Sequence, residues 1–213
     1  MLEIPQKIYD EIELMMEIPV DSHNKIVEKV TNISNEIKSE IDSFSSQYCP
    51  EDLAHLFYLL GYTLYHNPEK LNNPFIYREI EKSLSSAIEI DSEHYMAQLY
   101  LGYNAYDRKD FLLAKERFRL INENDLEPFF ALKLLEIKLC CSIRVDGLGS
   151  SFQEFEDFLD EADRHPVEDV FPLSLDRTIE DCRNSLRISQ EQQLEHLLKR
   201  LNASWYSRRR SSF

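Results

Sequence analysis

The sequence predicts an all-α protein, and three observations support this prediction. Only four glycines and eight prolines occur among the 213 residues. The stretches between them are rich in Leu, Ile, Glu and Lys, which favour helices, and contain few of the β-branched runs that are typical of strands. Apolar residues recur every three or four positions in several segments, as on one face of a helix. With 43% hydrophobic residues, the chain can also bury a continuous core.

The N-terminal region, residues 1–49, contains one clear amphipathic helix pattern. Asp21 is a candidate N-cap for this helix. The apolar residues of one face then follow at helical spacing: Ile26, Val30, Ile33, Ile37, Ile41 and Phe44. We expect this helix to cap one end of the fold, and a partner-binding or dimerising helix is the alternative.

Prolines predict where the next two helices begin. Pro50 suits the first turn of a helix over residues 53–66, because the N–H group that proline lacks has no partner at that position. Asn73 and Pro74 then start a second helix, over residues 75–90. These two helices form a predicted hairpin.

Residues 95–107 and 111–121 predict a second hairpin, and this one has the pattern of a repeat. Small residues stand where two helices would approach closely, and large apolar residues stand beside them. The residues that carry the pattern are Ala87, Leu101, Gly102, Ala105, Ala114 and Phe118. The pattern resembles the tetratricopeptide repeat (TPR), a helix-turn-helix unit of about 34 residues.

The resemblance covers about residues 51–165 and implies three repeats. Gly61 of the first repeat aligns with Gly102 of the second, whereas Glu136 takes the place of glycine in the third. TPR hairpins stack on one another because a single hairpin cannot bury its apolar face. The resemblance therefore implies a short right-handed α-solenoid of TPR-like helical hairpins over residues 50–165, with N- and C-terminal capping helices.

The C-terminal caps are expected over residues 166–205. One helix is predicted at about residues 174–186, and a longer one begins near Ser189, which is its candidate N-cap. Residues 206–213, which include three consecutive arginines, are predicted to be a disordered basic tail.

Composition and charge exclude several classes of function. A net charge of −15 and a pI of about 4.8 argue against binding nucleic-acid phosphates, which requires clustered Lys and Arg. No apolar run approaches the ~18 residues of a membrane span, and the N-terminus lacks the pattern of a secretory signal. We therefore expect a cytoplasmic protein with no membrane span and no nucleic-acid partner.

The sequence contains no motif that predicts catalysis or a bound cofactor. It has no Gly-rich phosphate loop and no nucleophile elbow, and its four cysteines and six histidines are dispersed. We predict a protein that is not an enzyme and holds no cofactor or metal. In the acidic run over residues 154–169, Asp157 and Glu161 could hold a divalent ion, but a solvated helix face is preferred. Asp160 can also pair with Arg164, one helical turn away.

The resemblance also implies a binding surface. In TPR proteins the first helices of the repeats line a concave groove that holds an extended or helical peptide. The positions that match this groove are His55, Tyr58, Tyr62, Tyr65, Met96, Leu99, Tyr103, Tyr106, Phe130, Lys133 and Ile137. Tyrosine suits the recognition of an apolar or mixed segment, because it combines a large apolar ring with a polar tip. If a terminal helix folds into the groove, these tyrosines are instead ordinary core residues.

The predicted function is therefore non-catalytic protein–protein interaction. The chain would act as an adaptor or chaperone-like module that binds a protein or peptide segment in a Tyr-rich concave groove. The alternative is an acidic inhibitor or immunity-type protein that neutralises a basic toxin or enzyme; salt would weaken that interaction steeply, and would affect an apolar groove little. Self-association into a homo-oligomer, through the apolar face of residues 26–44, is left open.

Overall fold

The all-α prediction is confirmed by the structure, a computed structural model. It describes residues 2–123, 126–164 and 172–211, and gives side chains as far as residue 204. Within these ranges the chain forms ten α-helices, short 3-10 turns and no strand. The chain divides into two compact units, Met1–Asp110 and Phe111–Phe213. The boundary lies between the two helices of the hairpin that most resembles a TPR unit.

Unit 1 contains five helices around one apolar core. They are α1 (Gln6–Met16), α2 (His23–Phe44), α3 (Pro50–Tyr65), α4 (Pro74–Ile90) and α5 (Tyr95–Asp107). Helix α3 packs along α4 and also contacts α2 and α5. The helices predicted after Pro50, after Pro74 and over residues 95–107 are confirmed. Helix α1 was not predicted, although Ile8, Ile12 and Met15 have helical spacing and are buried.

The apolar face of α2 packs inside unit 1. Val30, Ile33 and Ile37 are buried in the same core as residues of α3. The N-cap of α2 is Ser22 rather than the predicted Asp21, and no cap hydrogen bond from its side chain forms. Most of the face that was considered for dimerisation is therefore already covered within the chain.

Local capping explains the starts of α4 and α5. The side-chain oxygen of Asn73 accepts a hydrogen bond from the backbone N–H of Phe75 (3.1 Å) at the start of α4. At the start of α5, the His94 ring accepts one from the backbone N–H of Ala97 (3.2 Å). These bonds pair N–H groups that a helix leaves open in its first turn.

The close approach of α3 and α4 depends on Gly61. A Cβ atom at this position would lie 2.5 Å from the Leu84 Cδ2 atom, far inside van der Waals contact. Leu84 is fully buried, so its side chain has little room to move away. The expectation that a small residue is needed where these helices meet is confirmed for Gly61.

Unit 2 contains the remaining five helices. They are α6 (Phe111–Arg119), α7 (Pro128–Asp146), α8 (Phe152–Arg164), α9 (Leu173–Cys182) and α10 (Ile188–Ser211). Helix α7 contacts α6, α8 and α9, and α10 packs against α8. Helix α7 is therefore the central element of this unit.

Glu136, which the sequence resemblance aligns with the glycine of a TPR, joins α7 to α9. It is 3% exposed, and its Oε1 atom accepts hydrogen bonds from the backbone N–H groups of Ser174 (3.1 Å) and Leu175 (3.3 Å). Lys133 donates to its other carboxylate oxygen at 2.7 Å. A carboxylate is favourable at this position because the N-terminus of a helix carries partial positive charge. The residue that departs from the repeat pattern thus has a structural role of its own.

The C-terminal helices differ in detail from the prediction. Helix α10 begins at Ile188, and Gln190 accepts a hydrogen bond from the backbone N–H of Arg187 (3.0 Å), so Ser189 is not the cap. The backbone of α10 continues to Ser211 and includes residues 206–211 of the predicted tail, whereas residues 212–213 lie outside the described chain.

The acidic run is partly neutralised within unit 2. Arg200 of α10 forms ion pairs with Asp160 and Asp163 of α8, and Arg164 pairs with Glu161 (3.1 Å). The expected pair between Asp160 and Arg164 is therefore wrong, because a residue distant in sequence takes Asp160. Residues 165–169 of the run lie outside the described part of the chain.

Candidate functional site: an aromatic face on unit 1

Tyrosine and histidine side chains of α3, of α5 and of their cap residues His66 and His94 meet on one side of unit 1. On α3 they recur at spacings of three and four residues, which places them on one helix face. On α5 they alternate with buried apolar residues. We call this cluster the aromatic face; it consists of His55, Tyr58, Tyr62, Tyr65, His66, His94, Tyr100 and Tyr103.

Tyr100 lies at the centre of the aromatic face. Its ring centroid is 5.1 Å from those of both Tyr62 and Tyr65, at interplanar angles of 76° and 79°. The ring of Tyr103 lies 5.8 Å away, again edge to face. Each such pair contributes about 0.5–1.5 kcal/mol beyond its burial, because the positive ring edge meets the negative ring face. The contacts hold the rings in fixed positions.

The tyrosines of this face stay neutral and partly accessible. Tyr58 is 8% exposed, whereas Tyr62, Tyr65 and Tyr100 are half-buried. Burial is the main cause that raises the pKa of all four phenols. Their hydroxyl groups therefore keep their protons at neutral pH and can donate hydrogen bonds.

His55 and His94 form a neutral pair. The Nδ1 atom of His94 accepts from a backbone N–H, so its proton lies on Nε2, which is 3.3 Å from Nδ1 of His55. This assignment lets His94 donate to His55, and protonation of His55 would bring two N–H groups face to face. Burial lowers the pKa of both rings, and His94 lowers the pKa of His55 further.

His66 is the most strongly perturbed histidine of the face. Burial, and secondarily the nearby Lys70 ammonium, lower its pKa to about 4. Its ring lies 4.6 Å from that of Tyr62 and 5.6 Å from that of Tyr65. His66 therefore packs as a neutral aromatic ring at pH 7.

One ion pair lies at the edge of the face. The Nζ atom of Lys70 lies 3.1 Å from the ring centroid of Tyr65 and 2.8 Å from a carboxylate oxygen of Asp107. Burial lowers the pKa of Lys70, and the Asp107 carboxylate opposes this shift. The positive charge thus has both a counter-ion and a π face.

Helix α1 covers part of the aromatic face. The ring of Tyr9 stacks on His55, with centroids 6.1 Å apart, and the Tyr62 hydroxyl donates to Sδ of Met16 at 3.6 Å. Because Ile8 and Met15 are buried, this helix belongs to the core of unit 1. A terminal helix does reach the predicted groove residues, but Tyr100 and Tyr103 remain half-buried.

The structure brings together five of the groove positions predicted in unit 1, namely His55, Tyr58, Tyr62, Tyr65 and Tyr103. Met96 is partly buried against the same core, and Tyr106 is half-buried. Leu99 is 1% exposed, so it is a core residue and leaves the candidate site. The next residue, Tyr100, takes the central position. The spacing of Met96, Tyr100, Tyr103 and Asp107 could have indicated this, whereas no local signal indicated Lys70.

The three groove positions predicted on α7 belong to unit 2 and do not form a comparable surface. Phe130 is exposed, Lys133 pairs with Glu136, and Ile137 is 7% exposed in the core. Since α7 packs against α9 and Glu136 binds the start of α9, much of this face is internal. Ile137 therefore also leaves the candidate site.

Three further findings concern the described residues only. Within the residues given side chains, no three His, Cys, Asp or Glu side chains are grouped closely enough to hold a metal ion. None of the helices in the described ranges is long and apolar enough to cross a membrane. All four cysteines are free thiols.

Comparisons with family models, with curated proteins and with solved structures found no match to this chain. Function is therefore inferred from the chemistry of the aromatic face.

Proposed function

We propose that this chain is a non-catalytic, TPR-like interaction module that binds a peptide segment of another protein on the aromatic face. The observation that carries the proposal is a set of half-buried tyrosines held in place by edge-to-face contacts. Rigid aromatic side chains suit recognition because little conformational entropy is lost when they bind. As expected from the sequence, we place this module in the cytoplasm.

The chemistry of the face favours a neutral, largely apolar segment. Its phenols and imidazoles are uncharged at neutral pH, and Lys70 is already paired with Asp107. Apolar side chains of the segment would pack on the rings. Such an interaction should depend only weakly on salt.

A capture experiment tests this proposal. The wild-type protein, the variant Tyr62→Ala/Tyr103→Ala and a matched control, Leu71→Ala/Phe75→Ala, are used as baits in extracts of the source cell. The control removes two exposed apolar side chains of unit 1 that lie outside the aromatic face; Phe75, for example, is 72% exposed. All three baits are first compared by circular dichroism and urea unfolding, so that equal folding is established.

We expect to find a protein that the wild-type and control baits capture and that the face variant loses. This difference should be the same at physiological salt and at 0.5 M salt, where the Debye length is only about 4 Å. Binding that the face variant retains in full would contradict the proposal. Direct titration of the captured protein against the three baits then gives the loss in affinity.

The alternative, an acidic inhibitor that neutralises a basic protein, is supported by the net charge of −15. The exposed carboxylates of Glu154 and Asp157 could contribute to such a surface. However, Asp160 and Asp163 are already paired with Arg200. Capture that disappears at 0.5 M salt and is unaffected by the face variant would favour this alternative.

A further inference from the structure

A lysine of the chain itself occupies the edge of the aromatic face. Lys70 lies in the short 3-10 turn Pro68–Asn72 between α3 and α4. Its ammonium lies 3.1 Å from the ring centroid of Tyr65 and 2.8 Å from a carboxylate oxygen of Asp107 on α5. The Lys70 side chain is only 12% exposed, and that of Asp107 is 25% exposed. The tyrosine ring and the carboxylate therefore form a cation site, and Lys70 fills it.

The turn that carries Lys70 is held in shape by its own hydrogen bonds. The side-chain oxygen of Asn67, which is buried, accepts from the backbone N–H of Glu69 at 2.9 Å. The backbone N–H of Lys70 donates to the Asn67 carbonyl oxygen at 3.1 Å, and that of Asn73 donates to the Lys70 carbonyl oxygen at 3.3 Å. Lys70 is thus tethered beside its site. Such a short tether gives an effective concentration in the millimolar range, so a cation from solution competes poorly with Lys70.

The ammonium of Lys70 also acts on the groups around it. Burial, and secondarily this ammonium, lower the pKa of His66, so the His66 ring stays neutral at pH 7. Burial, and then the Asp107 carboxylate, raise the pKa of the Tyr65 phenol. A second cation at this edge would be repelled by Lys70 and would find the Asp107 carboxylate already paired. An uncharged apolar side chain meets neither obstacle.

We propose that Lys70 is a specificity-determining residue of the aromatic face. By filling the cation site from within the chain, it makes the face select a segment whose side chains are uncharged at this edge and reject one that carries Lys or Arg there. This inference rests on the proposed function, because it concerns the segment that binds the aromatic face. It predicts that removal of the Lys70 ammonium gives the face a preference for basic side chains.

Titration with propylammonium tests whether Lys70 fills a cation site. In Lys70→Ala, this small cation matches the carbon chain and the ammonium that the substitution removes. Lys38→Ala is the matched control, because Lys38 pairs with Glu79 (3.1 Å) at a more exposed position of unit 1. The wild type and both variants are titrated with propylammonium chloride and, for comparison, with n-propanol. Binding is followed by the NMR chemical shifts of the backbone N–H groups around Asp107.

Lys70→Ala should bind propylammonium about tenfold or more tightly than the wild type or Lys38→Ala does, because only this variant has a vacant ring and carboxylate. Asp107→Asn, added to Lys70→Ala, should abolish the binding. Circular dichroism and urea unfolding establish that each variant is folded. An equal response of the wild type, Lys38→Ala and Lys70→Ala to propylammonium would overturn the proposal.

A displayed library of random dodecapeptides tests the effect on segment recognition. It is selected on the full-length wild type, on Lys70→Ala, on Lys38→Ala and on a second Lys70 variant, Lys70→Gln, which keeps most of the apolar stem. Peptides that also bind the corresponding Tyr62→Ala/Tyr103→Ala protein are removed. All three lysine substitutions change the net charge equally, so general attraction of basic peptides to the acidic protein is the same in each. Selected peptides are synthesised with their basic residues and with norleucine in place of each.

Peptides selected on Lys70→Ala and Lys70→Gln should carry a basic residue whose replacement by norleucine weakens binding about tenfold or more. Peptides selected on the wild type and on Lys38→Ala should bind equally well after such a replacement. If peptides selected on the wild type lose as much, or if the Lys70 variants gain no dependence on a basic residue, the inference alone is wrong. If no peptide selected on the wild type depends on Tyr62 and Tyr103, the proposed function is wrong and the inference fails with it.

Discussion

Protonation of His66 should destabilise unit 1 at mildly acidic pH. Its pKa in the folded protein is about 4, compared with its ordinary value of 6.5, and burial is the main cause. The unfolded chain therefore binds a proton more readily than the folded chain. The contribution of the neutral His66 ring to the free energy of unfolding is present above pH 6.5 and is lost as the pH falls from 6.5 towards 4.

The expected loss follows from these two pKa values. Between pH 7 and pH 5, proton linkage at His66 alone lowers the free energy of unfolding by about 2 kcal/mol. Urea unfolding at both pH values measures this loss. Tyrosine fluorescence is a suitable signal, because every tyrosine except Tyr206 belongs to unit 1.

Substitution isolates the contribution of His66. In His66→Gln, which keeps a polar side chain of similar size, the loss between pH 7 and pH 5 should be smaller than in the wild type by about 2 kcal/mol. His196→Gln, at an exposed position on α10, serves as the control and should keep the wild-type loss. If His66→Gln and the wild type lose the same free energy of unfolding, then burial of a neutral His66 ring does not determine the acid sensitivity.

Three further substitutions test the contacts that shape the two units, each by urea unfolding. Gly61→Ala should lower the free energy of unfolding by about 1 kcal/mol, since overpacking against Leu84 costs about 2 kcal/mol and the gain in helix propensity returns about 1 kcal/mol. In a Leu84→Ala background, the cost of Gly61→Ala should vanish. If that cost is unchanged, Gly61 is not in close contact with Leu84. Glu136→Ala should destabilise unit 2 by about 2 kcal/mol, because two backbone N–H groups at the start of α9 lose their acceptor; a loss below ~0.5 kcal/mol would show that water replaces the carboxylate. Asn73→Ala should cost about 1 kcal/mol through the lost cap of α4, whereas Asn73→Asp should cost little.

The helices of unit 1 could be predicted where the signal is local. Pro50 and the Asn73–Pro74 pair define the starts of α3 and α4, since their effects act on the first turn of the same helix. The close packing at Gly61 could be predicted for a similar reason, because a glycine at helical spacing within an apolar face indicates that two helices approach closely there. Local chemistry of this kind does not depend on the rest of the fold.

The composition of the aromatic face could be predicted only in part. Periodicity placed the tyrosines of α3 on one side, but it could not decide between Leu99 and Tyr100 on α5, which depends on how α5 is rotated against α3. The contacts of Tyr9 and Met16 with this face depend on where α1 docks. Met16, for example, contacts Tyr62, which lies 46 residues further along the chain. The hydrogen bond that Glu136 accepts from the start of α9 is also long-range. Such contacts are determined by packing rather than by local sequence.

The two proposed modes of binding differ in their response to salt, and this difference separates them experimentally. The aromatic face is uncharged at neutral pH, so binding there should tolerate salt. The acidic surface of the alternative depends on exposed carboxylates such as those of Glu154 and Asp157, so binding there should weaken with salt. A partner that is retained at 0.5 M salt and lost by Tyr62→Ala/Tyr103→Ala therefore binds the aromatic face, and the opposite behaviour assigns it to the acidic surface.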